Sequence, residues 1–115
     1  MSRDQQSILD IIDSINLILE YTQGIDWGNL NIRDQDAIIL RFIIIGEATK
    51  RLSPAFRDRH PQIPWRQMAG LRDVIVHEYD DINLNIIRDV AELELPAILP
   101  LLQSLTDIEF TDASG

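Results

Sequence analysis

Across Leu71-Arg72-Asp73-Val74-Ile75-Val76-His77-Glu78-Tyr79 an arginine is followed five residues later by a histidine and seven later by a tyrosine. These side-chain types suit work on a phosphodiester without a metal. Arginine offers a planar, permanently charged fork for phosphate oxygens, histidine gives or takes a proton near neutral pH, and tyrosine adds a phenolic donor. A metal is not expected, and neither is any other cofactor. His77-Glu78-x-x-Asp81 has half of the zinc-helix pattern H-E-x-x-H, but the second histidine is missing and His60 lies at no ligand-like spacing. No P-loop, dinucleotide fingerprint or serine-hydrolase elbow occurs.

The elements that must carry these residues are helical. Ser2-x-x-Gln5 has the form of a capping box and opens an amphipathic helix over residues 2–23. Its apolar stripe is Ile8, Ile11, Ile12, Ile15, Ile18 and Leu19, and Gly24 stops it. After a loop, a second helix is predicted from about Ile32 to Leu52, with Asp34 and Asp36 near its start and Lys50 and Arg51 near its end. Its middle, Ala37 to Ala48, is apolar on every side but Arg41 and Glu47. Such a helix is buried all round, which calls for a partner subunit over one face; a buried strand is the competing reading of the same isoleucines. Ser53-Pro54 begins a short turn or one-turn helix, and Ile63-Pro64-Trp65 restarts a helix to about Glu78. Gly70 is a weak point of that helix, read as a close helix contact. Asp80-Asp81-Ile82-Asn83 breaks it, Asn83 caps the next helix over Leu84 to Glu94, and Pro96 bounds or kinks that one. Ala97 to Leu105 reads as a short terminal helix and Thr106 to Gly115 as frayed. The whole is an all-α, up-and-down bundle of four main helices with one or two short ones.

On an ideal helix Arg72 and Tyr79 are about 700° apart and share a face, whereas His77 stands about 140° from Arg72. Convergence of the three requires that the helix end near His77, or that two copies meet across a symmetric interface. Taken singly, Arg72 also suits an ion pair with Glu47 or Glu78. Trp27 and Trp65 read as core or rim anchors rather than base-stacking platforms.

A chain of 115 residues has the size of one domain, here bounded at 1–110 with residues 111–115 as a frayed tail. Cysteine is absent, and the longest apolar run is interrupted by Arg41 and too short to span a bilayer, so a soluble, cytoplasmic protein with no membrane contact is expected. The formal net charge of −9 argues at first against a polyanion partner. Its distribution is uneven. Residues 41–72 carry seven positive charges against two negative, a local +5, while the remainder holds three positive and seventeen negative. A basic segment thus leads into the Arg72 motif.

The residues resemble those of the HEPN superfamily, and within it the HepT-type toxins that pair with an MntA-like minimal nucleotidyltransferase antitoxin. The markers are R-x4-H-x-Y at Arg72, His77 and Tyr79, with Ile63-Pro64-Trp65, Gly70-Leu71-Arg72, Val76-His77-Glu78-Tyr79 and, upstream, Ile45-Gly46-Glu47-Ala48-x-x-Arg51-Leu52-Ser53. Many members carry asparagine where this chain has Asp73. The resemblance implies a HEPN-like helical homodimer whose two motifs line a shared cleft, and a metal-independent endoribonuclease in a type VII-like toxin–antitoxin module. In that chemistry the RNA's own 2′-hydroxyl attacks the adjacent phosphate. His77 is expected to transfer the proton and Arg72 to hold the phosphate. Asp73, Glu47 and Arg41 are candidate supporting residues. Tyr79 is the residue expected to receive adenylate from the antitoxin, which would set negative charge beside Arg72. The alternative is a non-catalytic nucleotide- or polynucleotide-binding subunit of a nucleotidyltransferase. A helical adaptor with no nucleic-acid role is the third reading.

Overall fold

The computed structural model describes residues 2–77 and 83–110, with Val76 and His77 as backbone only. Helix α1 spans Arg3–Tyr21, α2 Ile32–Arg51, α3 Pro54–Arg59, α4 Trp65–His77, α5 Leu84–Asp89 and α6 Leu95–Phe110. A 3-10 turn at Trp27–Asn29 and a π-helical turn at Val90–Glu94 complete the described elements. The expected all-α bundle is what forms, its four main members being α1, α2, α4 and the run from α5 into α6.

Local chemistry sets most of the helix starts. Ser2, Asn31, Ser53 and Asn83 each turn a side-chain oxygen onto a backbone N–H of the first turn, accepting from Gln5, Asp34, Phe56 and Asn85 respectively. Pro54 occupies the first position of α3, where its missing N–H costs nothing. Ser53 is held from outside as well, since its N–H and its hydroxyl each donate to Asp4 at 2.8 Å. That bond pair ties the start of α3 to the first turn of α1. After α1, Gly24 takes a left-handed φ of 67°, a conformation cheap for glycine alone.

The core is the inward stripe predicted for α1, with Ile8, Ile11, Ile15 and Ile18 fully buried against Phe42 and Ile45 of α2 and Leu95, Leu102 and Leu105 of the C-terminal run. α2 lies in the middle, between α1 and α4. It is not buried all round, however. Leu40 is 50% exposed, Ile32 is 69% exposed, and Ile43 and Ile44 are half-buried. Among the described residues the main neighbours of this twenty-residue helix are α1 and α4, and the side carrying Leu40 remains open.

Two expectations for the C-terminal third need correction. Pro96 does not end a helix: the path continues from Leu84 to Phe110 through the π turn, where the Leu95 N–H reaches back five residues to the Val90 carbonyl. Proline lacks an N–H and crowds the preceding turn, and one wider turn absorbs that conflict; Pro100 follows inside α6. Ala97 to Leu105 is therefore the middle of α6 rather than a separate helix. Nor is Thr106 to Phe110 frayed, because Phe110 stacks on Phe56 with centroids 5.8 Å apart and rings 3° from parallel. Residues 111–115, the expected tail, lie outside the described residues.

Beside that ring pair sits a charged clasp. The Glu109 carboxylate meets the His60 Nε2 at 2.6 Å and the Arg59 Nε at 3.0 Å, while the His60 carbonyl accepts from the Trp65 indole at 3.0 Å. Trp65 is thus a buried anchor, as expected, and Trp27 is a rim anchor whose indole donates to Glu92 at 3.1 Å. Hydrogen bonds from Arg59 and then His60 hold the Glu109 carboxyl below its ordinary range. A carboxyl whose pKa is depressed on folding stabilises the fold above its ordinary value of 4.5 and ceases to do so as pH falls below it. Glu109→Gln should therefore lose less melting temperature than the parent between pH 7 and pH 3.5; equal losses would mean that the clasp adds no acid sensitivity.

Candidate active site at the seam of two helices

The sequence motif lies where α4 crosses α2. Gly46 makes the crossing close. A methyl group placed on Gly46 would stand 2.7 Å from the backbone nitrogen of Arg72, inside any tolerated contact. The close helix contact is thus at Gly46 and not at Gly70, around which a methyl group would meet nothing within 4 Å. Gly70 instead lies on an open side of α4.

With the backbones so near, charges from the two helices interdigitate. The Arg72 Nε faces the Glu47 carboxylate as an ion pair; the nitrogen itself is enclosed and the contact lacks the alignment of a hydrogen bond. The Arg72 Nη1 donates to Asp73 at 3.3 Å, and Asp73 also accepts from the Lys50 Nζ at 2.6 Å. Two cations and two carboxylates thus alternate in one chain, Glu47 to Arg72 to Asp73 to Lys50. Lys50 first, and Arg72 after it, hold the Asp73 carboxyl below its ordinary range, so it remains charged at neutral pH. The group is partly open to water, with about a third of the Arg72 side chain exposed. Water keeps such pairs modest in strength, and their effect is to orient the guanidinium rather than to stabilise the fold.

Of the residues singled out from the sequence, Glu47, Arg72 and Asp73 come together. The ion pair of Arg72 with Glu47, one of its two suggested partners, is present. Arg41 stands six residues before Glu47, about 120° around the helix, and takes no part in the network among the described residues. His77 is the last residue of α4, in helical register with Arg72 and so about 140° from it. Tyr79, Glu78 and Asp81 lie outside the described residues, as does the half zinc motif they would form. Lys50 is the member that sequence reasoning missed. Its signal was its place three residues after Glu47, hence on the same helix face.

The close crossing yields a paired prediction. Gly46→Ala should destabilise the protein by about 1–3 kcal/mol through overpacking, whereas Gly70→Ala should stabilise it by about 1 kcal/mol through helix propensity. Urea midpoints of the two variants measure both. No loss of stability in Gly46→Ala would mean that the helices separate without cost.

No helix among the described residues is long and apolar enough to cross a membrane. No solved structure matches the chain. Among curated sequences, the "Probable ribonuclease HepT" of Thermococcus cleftensis is 34% identical over 101 residues, covering 85% of this chain and 92% of the relative. A Methanocaldococcus jannaschii protein named "Putative RNase" is 33% identical over 111 residues, covering 94% and 92% of the two chains. A second protein of that organism, similarly named, is 33% identical over 99 residues, covering 84% and 91%. The ribonuclease HepT-like profile matches residues 11–105, which include α2, the close crossing at Gly46 and the whole Arg72 motif. By this match and these relatives, the chain belongs to the HepT-like family of the HEPN superfamily.

Proposed function

We propose that this protein is a ribonuclease toxin of the HepT type, cutting RNA at a site built on Arg72 and His77 and silenced by modification of Tyr79. The observation that carries the reading is the oriented guanidinium of Arg72, pinned at the seam by Gly46 and Glu47 in a chain whose relatives bear ribonuclease names. A guanidinium fixed in direction before substrate arrives pays little ordering cost when it grips a phosphate, and it stabilises the charge that builds there during attack. In this reading the 2′-hydroxyl of the RNA attacks the neighbouring phosphorus, the bond to the 5′-oxygen breaks, and a cyclic phosphate and a 5′-hydroxyl result. His77 moves the proton, in keeping with the ordinary imidazole pKa of roughly 6.5. No metal ion takes part in the step.

A second copy of the chain completes the site. On one ideal helix positions 72 and 77 stand about 140° apart, so a two-fold pairing that sets two motifs face to face supplies each with its complement. The half-exposed Leu40 and Val74, one on each helix of the seam, suit burial in such a pairing. The partner in regulation is a minimal nucleotidyltransferase. A phosphodiester-linked adenylate on Tyr79 would bring negative charge to Arg72 and occupy the space of the substrate phosphate. The protein would act in the cytoplasm as a single domain.

Expression of the chain alone should arrest growth and cut cellular RNA, and His77→Ala should abolish both while leaving the helical spectrum and melting temperature intact. If the intact protein neither harms cells nor cuts RNA, and His77→Ala behaves identically, the non-catalytic binding subunit becomes the better description. That reading draws on the fact that Arg72 is already paired within its own chain. For the regulatory residue, intact mass after co-expression with the neighbouring nucleotidyltransferase should rise in adenylate-sized steps. The steps should vanish in Tyr79→Phe; persistence of the added mass in that variant would assign the modification elsewhere.

A further inference from the structure

A broad open groove lies between α3 and the first turns of α4, on the side of α4 where Gly70 presents no side chain. Arg57, Gln62, Arg66, Gly70 and Asp73 line it, with Pro54 at its far edge. Arg66, Gly70 and Asp73 are spaced four and three residues apart, so they share one face of α4 along about 10 Å of helix rise. At its Asp73 end the groove meets the Lys50 and Arg72 cluster. A second depression, lined by Arg3, Lys50 and Arg51, shares Arg57 and Pro54 with the first. Arg57 therefore stands on the ridge between them.

The cations of this region differ in how they are occupied. Arg51 is paired with Asp10 and Lys50 with Asp73, whereas Arg3, Arg57 and Arg66 have no carboxylate partner among the described residues. Arg57 goes further: its Nε is enclosed by the protein and has no hydrogen-bond partner. An enclosed N–H without an acceptor is costly, and a turn of the side chain toward an oxygen arriving in the groove would relieve that cost. The acidic groups at the rims are Asp58, which is exposed, and Asp73, whose charge is engaged by Lys50 and Arg72. Gln62 and Gln67 add amides, and the bare backbone at Gly70 lets a strand approach closely. Trp65 is buried with its indole spent on the His60 carbonyl, so the groove has backbone-binding chemistry rather than a base-stacking platform.

We propose that this groove is a subsite for the sugar–phosphate backbone of single-stranded RNA, with Arg57 and Arg66 each holding a phosphate beside the one gripped by Arg72. The proposal rests on the ribonuclease reading and adds to it the path of the strand away from the cut. A single small anion would leave one of the two arginines unused, since they stand on different helices across an open groove. A strand with successive phosphates engages both. The local excess of positive charge in residues 41–72 then has a specific occupant in an otherwise acidic protein.

The test measures binding of a short 2′-O-methyl RNA, which cannot be cut through its own 2′-oxygen, to the full chain over a salt titration. Replacing both residues, Arg57→Gln with Arg66→Gln, should lower the slope of log affinity against log salt by about 1.4 and weaken binding roughly tenfold near physiological salt. Arg66→Gln alone, at an exposed side chain, should give half the change in slope, which keeps the test open should Arg57→Gln disturb the fold. Arg33→Gln, the same charge change at the opposite end of α2, should leave binding as it was. A double variant that binds with the parent's slope while the parent still cuts RNA overturns the subsite and leaves the ribonuclease reading standing. A parent that neither binds nor cuts RNA overturns both. If Arg33→Gln weakens binding equally, or if the double variant loses the nucleotidyltransferase partner but keeps RNA, the groove is not an RNA subsite.

Discussion

The contact on which the site depends is the near touch of two backbones at Gly46 and Arg72. Helices ordinarily stand 8–10 Å apart because side chains keep them there, and a glycine at the crossing removes that spacer. With the spacer gone, α2 and α4 lie close enough for side chains from the two helices to reach one another's charges. The ladder Glu47, Arg72, Asp73, Lys50 exists because of that proximity. The rest of the bundle serves the crossing. α1 backs α2 from the other side with its row of buried isoleucines, and α3 with Ser53 and Asp4 fixes where the chain turns between the two crossing helices.

A second fixed point lies at the other end of α3. Phe56, Trp65 and Phe110 form an aromatic knot, closed by the carboxylate of Glu109 on His60 and Arg59. It joins the turn before α4 to the last turn of α6. α4 is thus held at its start by packing and at its middle by the glycine crossing, which leaves the placement of Arg72 little freedom. The long C-terminal helical run carries two prolines and still remains unbroken, because a single wider turn is a smaller disturbance than the loss of contact between α6 and α1.

What could be read from residues alone was what depends on near neighbours. The caps at Ser2, Ser53 and Asn83 are decided within three residues, and the stripe of α1 repeats with the helical period, so both are legible. The pairing of Arg72 with Glu47 is one of two options that charge alone offers, and the crossing supplies it. Gly46 and Gly70 look alike as letters; which of them touches another helix is a property of the packing. The clasp of Glu109 on His60 joins residues 49 apart and leaves no local signature. Local chemistry lets Pro96 bound or kink a helix, and only tertiary burial of Leu95, Ile98 and Leu102 decides for continuation through a distorted turn. Lys50 was passed over as helix-end charge, a role its position also fits.

The resident carboxylates at Arg72 turn its grip on any newcomer into an exchange reaction. A phosphate group reaching Arg72 would not meet a bare cation; it would have to displace Glu47 or Asp73 from a guanidinium already partly neutralised. Affinity is then the difference between two similar attractions, small for a lone anion and appreciable only for a ligand that offers further contacts of its own. Selectivity of this kind comes without a tight pocket. It is the behaviour of an ion-exchange resin reduced to one functional group, in which the occupying counter-ion is part of the protein and rejects every anion that has nothing else to offer.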